Sequence, residues 1–234
     1  MNYYLQRKKR MSLSERLRAF SVVTWLIIIT SIISLISFVL FASSEDYVQY
    51  LALRPDTILQ GKFLWTLLTH IFVHGGFAHL LINMFVLFSL GSLIEKIIGR
   101  KRFIWFYLAS GLFAGILSVL LAGFFGYSDL GAKIFGAPDI FMVGASGAIF
   151  AIAGLYVLLL PRVKFMILFL PFFSLPAYIM VPLVLFITWG ASALAGWPIG
   201  NVAHFGGFLM GIFYGLYLRT KYKRKVLRLQ KMFR

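Results

Sequence analysis

The sequence predicts an all-α membrane protein, a bundle of six transmembrane helices with both termini in the cytoplasm. Three observations lead there. Of the 234 residues 61% are hydrophobic and 13% charged, with a mean hydropathy of +0.90, far more apolar than a soluble domain. Six apolar runs, near 21–41, 77–98, 103–125, 145–160, 177–195 and 203–218, read as crossings of a hydrocarbon core roughly 30 Å thick. Twenty of the 23 Lys and Arg residues fall in the N-terminal segment, the second and fourth connections and the C-terminal tail, leaving only Arg54, Lys62 and Lys133 for the other side. An even number of crossings and the positive-inside rule then put both ends in the cytoplasm.

The elements follow in order. Residues 1–20 form a basic cytoplasmic segment, RKKRMSLSERLRAF at its end. The run after it, SVVTWLIIITSIISLISFVLFA, is longer than the apolar core of a signal peptide and reads as a spanning helix. Residues 42–76, half apolar and rich in aromatics, suit a membrane-embedded loop. The second run closes on GSLIEKIIG at 91–99, and the third follows after a basic turn. The fourth opens with MVGASGAIFAIAGLY. Residues 165–176 carry Pro171 and Pro176 and are expected at the cytoplasmic interface. The helical domain spans 21–218, and 219–234 is a basic cytoplasmic tail.

A net charge of +16 on a soluble protein would suggest nucleic acid. Here the cations sit between apolar runs, so the lipid bilayer accounts for them and no nucleic-acid partner is expected. The chain has no cysteine, hence no disulfide framework and no thiolate metal site. His70, His74 and His79 lack a cysteine or carboxylate at zinc-site spacing, so no metal is expected and the first two read as structural loop histidines.

Polar groups inside a bilayer are expensive, which makes Ser146, His204, His79 and Asn83 functional candidates. A helix rises ~1.5 Å per residue. Counted from the cytoplasmic ends marked by Pro161, Arg219 and Lys96, Ser146 and His204 both lie ~22 Å up and Asn83 ~20 Å. His79 and Asn83, four apart, share a helix face. A serine needs a base to become a nucleophile, and His204 at equal depth supplies one. No acid falls in the sixth run, so a Ser-His dyad is expected. The Ser146 amide, His79 and Asn83 would hold the oxyanion formed by attack on an amide. Gly147, Ala151 and Gly154 can face Gly207 and Gly211 on the sixth run, bringing the two backbones close.

These residues resemble the rhomboid intramembrane serine proteases. GASG at 144–147 is similar to the family's G-x-S-G motif, AHFGGFLMG at 203–211 to its A-H-x-x-G-x-x-x-G motif, and HGGFAHLLIN at 74–83 to its H-x-x-x-x-H-x-x-x-N run. The resemblance implies a serine endopeptidase that cuts transmembrane segments of other membrane proteins. Ser146 and His204 would be catalytic, His79 and Asn83 oxyanion-binding, and Gly144, Gly147, Phe150, Gly207 and Gly211 supporting; no cofactor is implied. It also implies a multi-pass location, expected to be a prokaryotic cell membrane. Two departures stand out: Thr66 follows Trp65 where the family often has arginine, and Phe150 replaces a frequent tyrosine. The rival readings are a non-proteolytic rhomboid-like protein that binds membrane clients, and a transporter, for which no pseudo-symmetric halves are found. The oligomeric state stays open.

Overall fold

A computed structural model describes residues 20–167, 170–195 and 199–233. The N-terminal basic segment, apart from Phe20, lies outside the described residues. The chain is mostly helical, and four helices among the described residues are long and apolar enough to cross a membrane.

Helix α1 (Val22–Ser43) starts where the Ser21 hydroxyl accepts the Thr24 N–H at 3.0 Å. Its first amides find a second cap from far along the chain: Val22 and Val23 donate to the two Glu95 carboxylate oxygens at 2.9 and 2.8 Å. Glu95 is buried. The carboxylate thus satisfies amides that a helix start leaves unpaired, and its charge suits the positive end of the helix dipole.

Residues 44–76 fold into short pieces: a 3-10 turn at Glu45–Tyr47, α2 (Val48–Leu51), α3 (Pro55–Leu59), α4 (Thr66–Thr69) and a 3-10 turn at His70–Phe72. Their backbone needs partners, and finds some in the segment before Ser146. Leu53 and Met142 exchange two hydrogen bonds, and the Asp56 amide donates to Pro138 at 2.9 Å.

Helix α5 (Phe77–Ile98) contains a π-helical stretch at Leu87–Gly91. The Leu90 carbonyl there accepts the Tyr156 hydroxyl at 3.0 Å. Gly99, at φ +87, then turns the chain into α6 (Arg100–Phe125). Helix α7 (Asp129–Phe135) leads towards α8 (Ser146–Leu159), which is apolar but only 14 residues long, ~21 Å.

The segment expected at the interface departs from an all-α fold. It forms two antiparallel strands, β1 (Lys164–Ile167) and β2 (Leu170–Pro176), in which Lys164 pairs with Pro176 and Phe165 with Leu175. Both strands are edges, where proline is tolerated. Helix α9 (Ala177–Ala195) follows, then α10 (Asn201–Lys221). The basic tail is helical too: α11 (Lys223–Met232) packs Val226 inward and donates the Gln230 side-chain amide to the Leu158 carbonyl at 3.1 Å.

Helices α8 and α10 form the most intimate pair, and their glycines say why. A Cβ on Gly207 would fall on the Gly147 carbonyl, and one on Gly211 on the Ala151 carbonyl. A Cβ on Gly154 would stand 2.7 Å from the Phe208 carbonyl oxygen. Small residues at each crossing point let the two backbones touch.

Candidate active site

Ser146 is the first residue of α8, and the turn that delivers it is built on Gly144, whose φ of +122 is a conformation other residues rarely adopt. The turn is held from outside. The Gly144 amide donates to the His70 carbonyl at 2.9 Å, and the Ala145 amide donates to His74 Nε2 at 3.4 Å. With Nε2 accepting, the His74 proton is on Nδ1 and points to Ser34 Oγ at 3.0 Å; the Ser34 hydroxyl donates in turn to the Phe72 carbonyl at 3.0 Å. A chain of bonds therefore runs from α1 to the residue before Ser146. His70 turns its Nδ1–H to the Thr66 carbonyl at 2.9 Å and packs against Gly115.

His204 sits in the first turn of α10, which starts at Asn201. Its Nε2 lies 2.8 Å from Ser146 Oγ. The bond crosses between two helices through the glycine contact one turn below. Phe150, one turn after Ser146, stacks on the imidazole with ring centroids 4.4 Å apart and planes at 23°. Phenylalanine thus fills the face where the expected pattern carries tyrosine. His204 Nδ1 is buried and has no hydrogen-bond partner among the described residues.

His79 approaches the same turn from α5. A Cβ built on Gly144 would stand 3.1 Å from His79 Nε2 and 3.9 Å from Ser146 Oγ, so ring and hydroxyl flank one glycine. The His79 ring also meets His74 edge to face at 5.0 Å. Asn83, buried on α5, donates one carboxamide N–H to the His79 carbonyl at 2.9 Å. The second N–H of that amide has no partner among the described residues. Gly147 lies against Ala114 of α6 and Ala203 of α10, and Gly207 and Gly211 line the other side of the crossing. No cluster of three metal-ligating side chains occurs among the described residues.

Sequence reasoning missed three parts of this arrangement. The Ser34–His74 support joins residues 40 apart, and a serine in an apolar run signals nothing by itself. The π-helical stretch has no compositional mark. Nothing marked Glu95, one acid among seven, as the cap of a helix 72 residues earlier.

The chain has relatives of known name. GluP, a rhomboid protease of Bacillus subtilis, is 32% identical over 173 residues, covering 73% of this chain and 29% of that protein. Rhomboid protein 1, mitochondrial, of Saccharomyces cerevisiae is 30% identical over 162 residues, covering 68% of this chain and 43% of its own. GlpG, a rhomboid protease of Haemophilus influenzae, is 26% identical over 190 residues, 81% of this chain and 88% of that protein. The chain therefore spans less than half the length of the first two. Residues 62–221, which match the family model of the Rhomboid domain, take in α4, the His79 and Asn83 face of α5, Ser146 and His204, and on that match the chain, an integral multi-pass membrane protein, belongs to the rhomboid family.

Proposed function

We propose that this protein is an intramembrane serine endopeptidase that cleaves transmembrane segments of other membrane proteins. The observation that carries the proposal is the 2.8 Å contact between Ser146 Oγ and His204 Nε2, made by residues on separate helices at the start of each. Membership of a family in which several relatives bear the name rhomboid protease supports it.

In this reading six helices cross the bilayer, α8 and α10 among them, with both termini in the cytoplasm as the cation distribution requires. The short α8 leaves Ser146 below the outer membrane surface, within reach of water from that side. A prokaryotic cell membrane is the location we favour.

The chemistry runs in two halves. Ser146 Oγ attacks the scissile carbonyl carbon while His204 Nε2 takes the hydroxyl proton. The carbonyl oxygen becomes an oxyanion, facing the Ser146 amide at the α8 start, the His79 ring and the free N–H of Asn83. The C–N bond breaks, His204 returns the proton to the leaving amine, and an acyl ester remains on Ser146. Water, deprotonated by the same imidazole, then hydrolyses the ester and restores the serine. A substrate helix must unwind locally to present its carbonyl, so Gly or Pro near the cut favours cleavage.

The test uses purified protein and a model transmembrane substrate in detergent. The parent is expected to cut, with Ser146→Ala and His204→Ala each reduced to background. Equal cleavage by parent and Ser146→Ala would end the proposal, and a parent that binds the segment without cutting it would favour the client-binding reading.

A further inference from the structure

The dyad leaves one donor to be accounted for. If Nε2 of His204 is to receive the Ser146 proton, the ring's own proton resides on Nδ1. Nδ1 is buried and has no partner among the described residues. One turn earlier on the same helix, Asn201 is 5% exposed, and its carboxamide oxygen Oδ1 is buried with no donor among the described residues. On α10 these are the two buried side-chain atoms left in that condition.

Their chemistry and spacing are complementary. One is a donor in the tautomer the reaction needs, and the other is an acceptor only. Residues three apart on a helix have Cβ atoms about 5–6 Å from each other, and a helical side chain leans back over the turn preceding it. Oδ1 and Nδ1 each stand two bonds beyond Cβ, so the two side chains are long enough to meet across that spacing. Burial gives that meeting its drive, because each atom unpaired away from water forfeits its hydration.

We propose that Asn201 is the positioning residue of the dyad: its carboxamide oxygen accepts the His204 Nδ1–H and holds the imidazole in the tautomer whose Nε2 takes the serine proton. No proton passes to Asn201. When Nε2 is protonated, the carboxamide dipole faces the imidazolium and lowers its cost. Phe150 fixes the ring's tilt by stacking, and Asn201 fixes its rotation and tautomer. This inference rests on the protease reading above.

The experiment compares full-length parent, Ser146→Ala, Asn201→Ala and Asn201→Asp on a model transmembrane substrate in detergent. A cutting parent with a silent Ser146→Ala secures the protease reading, so that whatever follows bears on Asn201 alone. Asn201→Ala is expected to lose about tenfold or more in kcat, the scale of one orphaned buried donor, with KM within about twofold. In Asn201→Asp a carboxylate accepts the same bond and attracts the imidazolium, so the acid limb of the kcat/KM profile moves to higher pH, by about one unit. His79 on α5, the titratable group whose charge bears on His204, is the same in all variants. A residue that merely packs would leave the acid limb in place. The proposal is overturned by Asn201→Ala turning over within about twofold of the parent, or by an Asn201→Asp profile that superimposes on the parent's. Should Asn201→Ala unfold in detergent, the Asn201→Asp profile decides alone.

Discussion

Adding one methyl at Gly207 should disable the site from a full turn away. Its Cβ would coincide with the Gly147 carbonyl, backbone rather than a side chain that can swing aside. Carbon and oxygen need about 3.0–3.4 Å, tighter than most real contacts even then. The α8 and α10 backbones must therefore part by on the order of 1 Å or more at this level. Ser146 and His204 sit on the two separating helices, and their 2.8 Å contact would stretch past the 3.5 Å limit of a hydrogen bond. A misplacement of that size costs on the order of a hundredfold in rate. The assay is cleavage of a model transmembrane substrate by Gly207→Ala, beside Gly190→Ala on α9, where an added Cβ meets nothing within 4 Å. The control should cut like the parent. Gly207→Ala cutting within about threefold of the parent would refute the claim that glycine contact sets the dyad distance.

Two further perturbations probe separate supports. Glu95→Gln keeps one acceptor oxygen but turns an amide N–H towards a backbone N–H of α1. Stability should fall by about 1–3 kcal/mol, read as a lower midpoint of thermal unfolding in detergent, and an unchanged midpoint would sink the capping role. Phe150→Ala removes the ring stacked on His204. A loss of about 0.5–1.5 kcal/mol of ring contact predicts roughly a twofold to twelvefold drop in kcat, with Phe150→Tyr close to the parent; equal rates for all three would show that the stack does not matter.

How much of this was legible in the sequence follows from what hydropathy measures. It reports removal from water, and lipid and protein interior are equally apolar. The helical segments could therefore be placed within a few residues, as 177–195 was at Ala177–Ala195. Which face of each helix meets protein could not: Val23 and Val39 lie on the same helix, one fully buried and the other 70% exposed to the surroundings. The run expected near 145–160 is the helix Ser146–Leu159, short for its apolar content and enclosed by α6 and α10. The pairing of β1 with β2 was unreadable for a related reason, because an apolar stretch with prolines suits an interfacial coil and an edge ribbon alike.

The proximity of the candidate residues was more legible than the fold around them, and the cause is the fixed rise of a helix. Counting residues from a charged or proline-marked end converts sequence position into depth, and polar side chains at matching depth have few places to go except towards one another. Ser146 and His204 are in contact, and His79 reaches the same turn through Gly144. Depth gives height, though, and not bearing around the axis. The bearing comes from contacts that no periodic pattern announces: a carbonyl accepting the Gly144 amide, a histidine accepting the next one, a glycine whose missing side chain lets a neighbouring backbone in. Such contacts join residues far apart in the chain, each unremarkable alone, so their effect is to be measured in the distance between an oxygen and a nitrogen on two different helices.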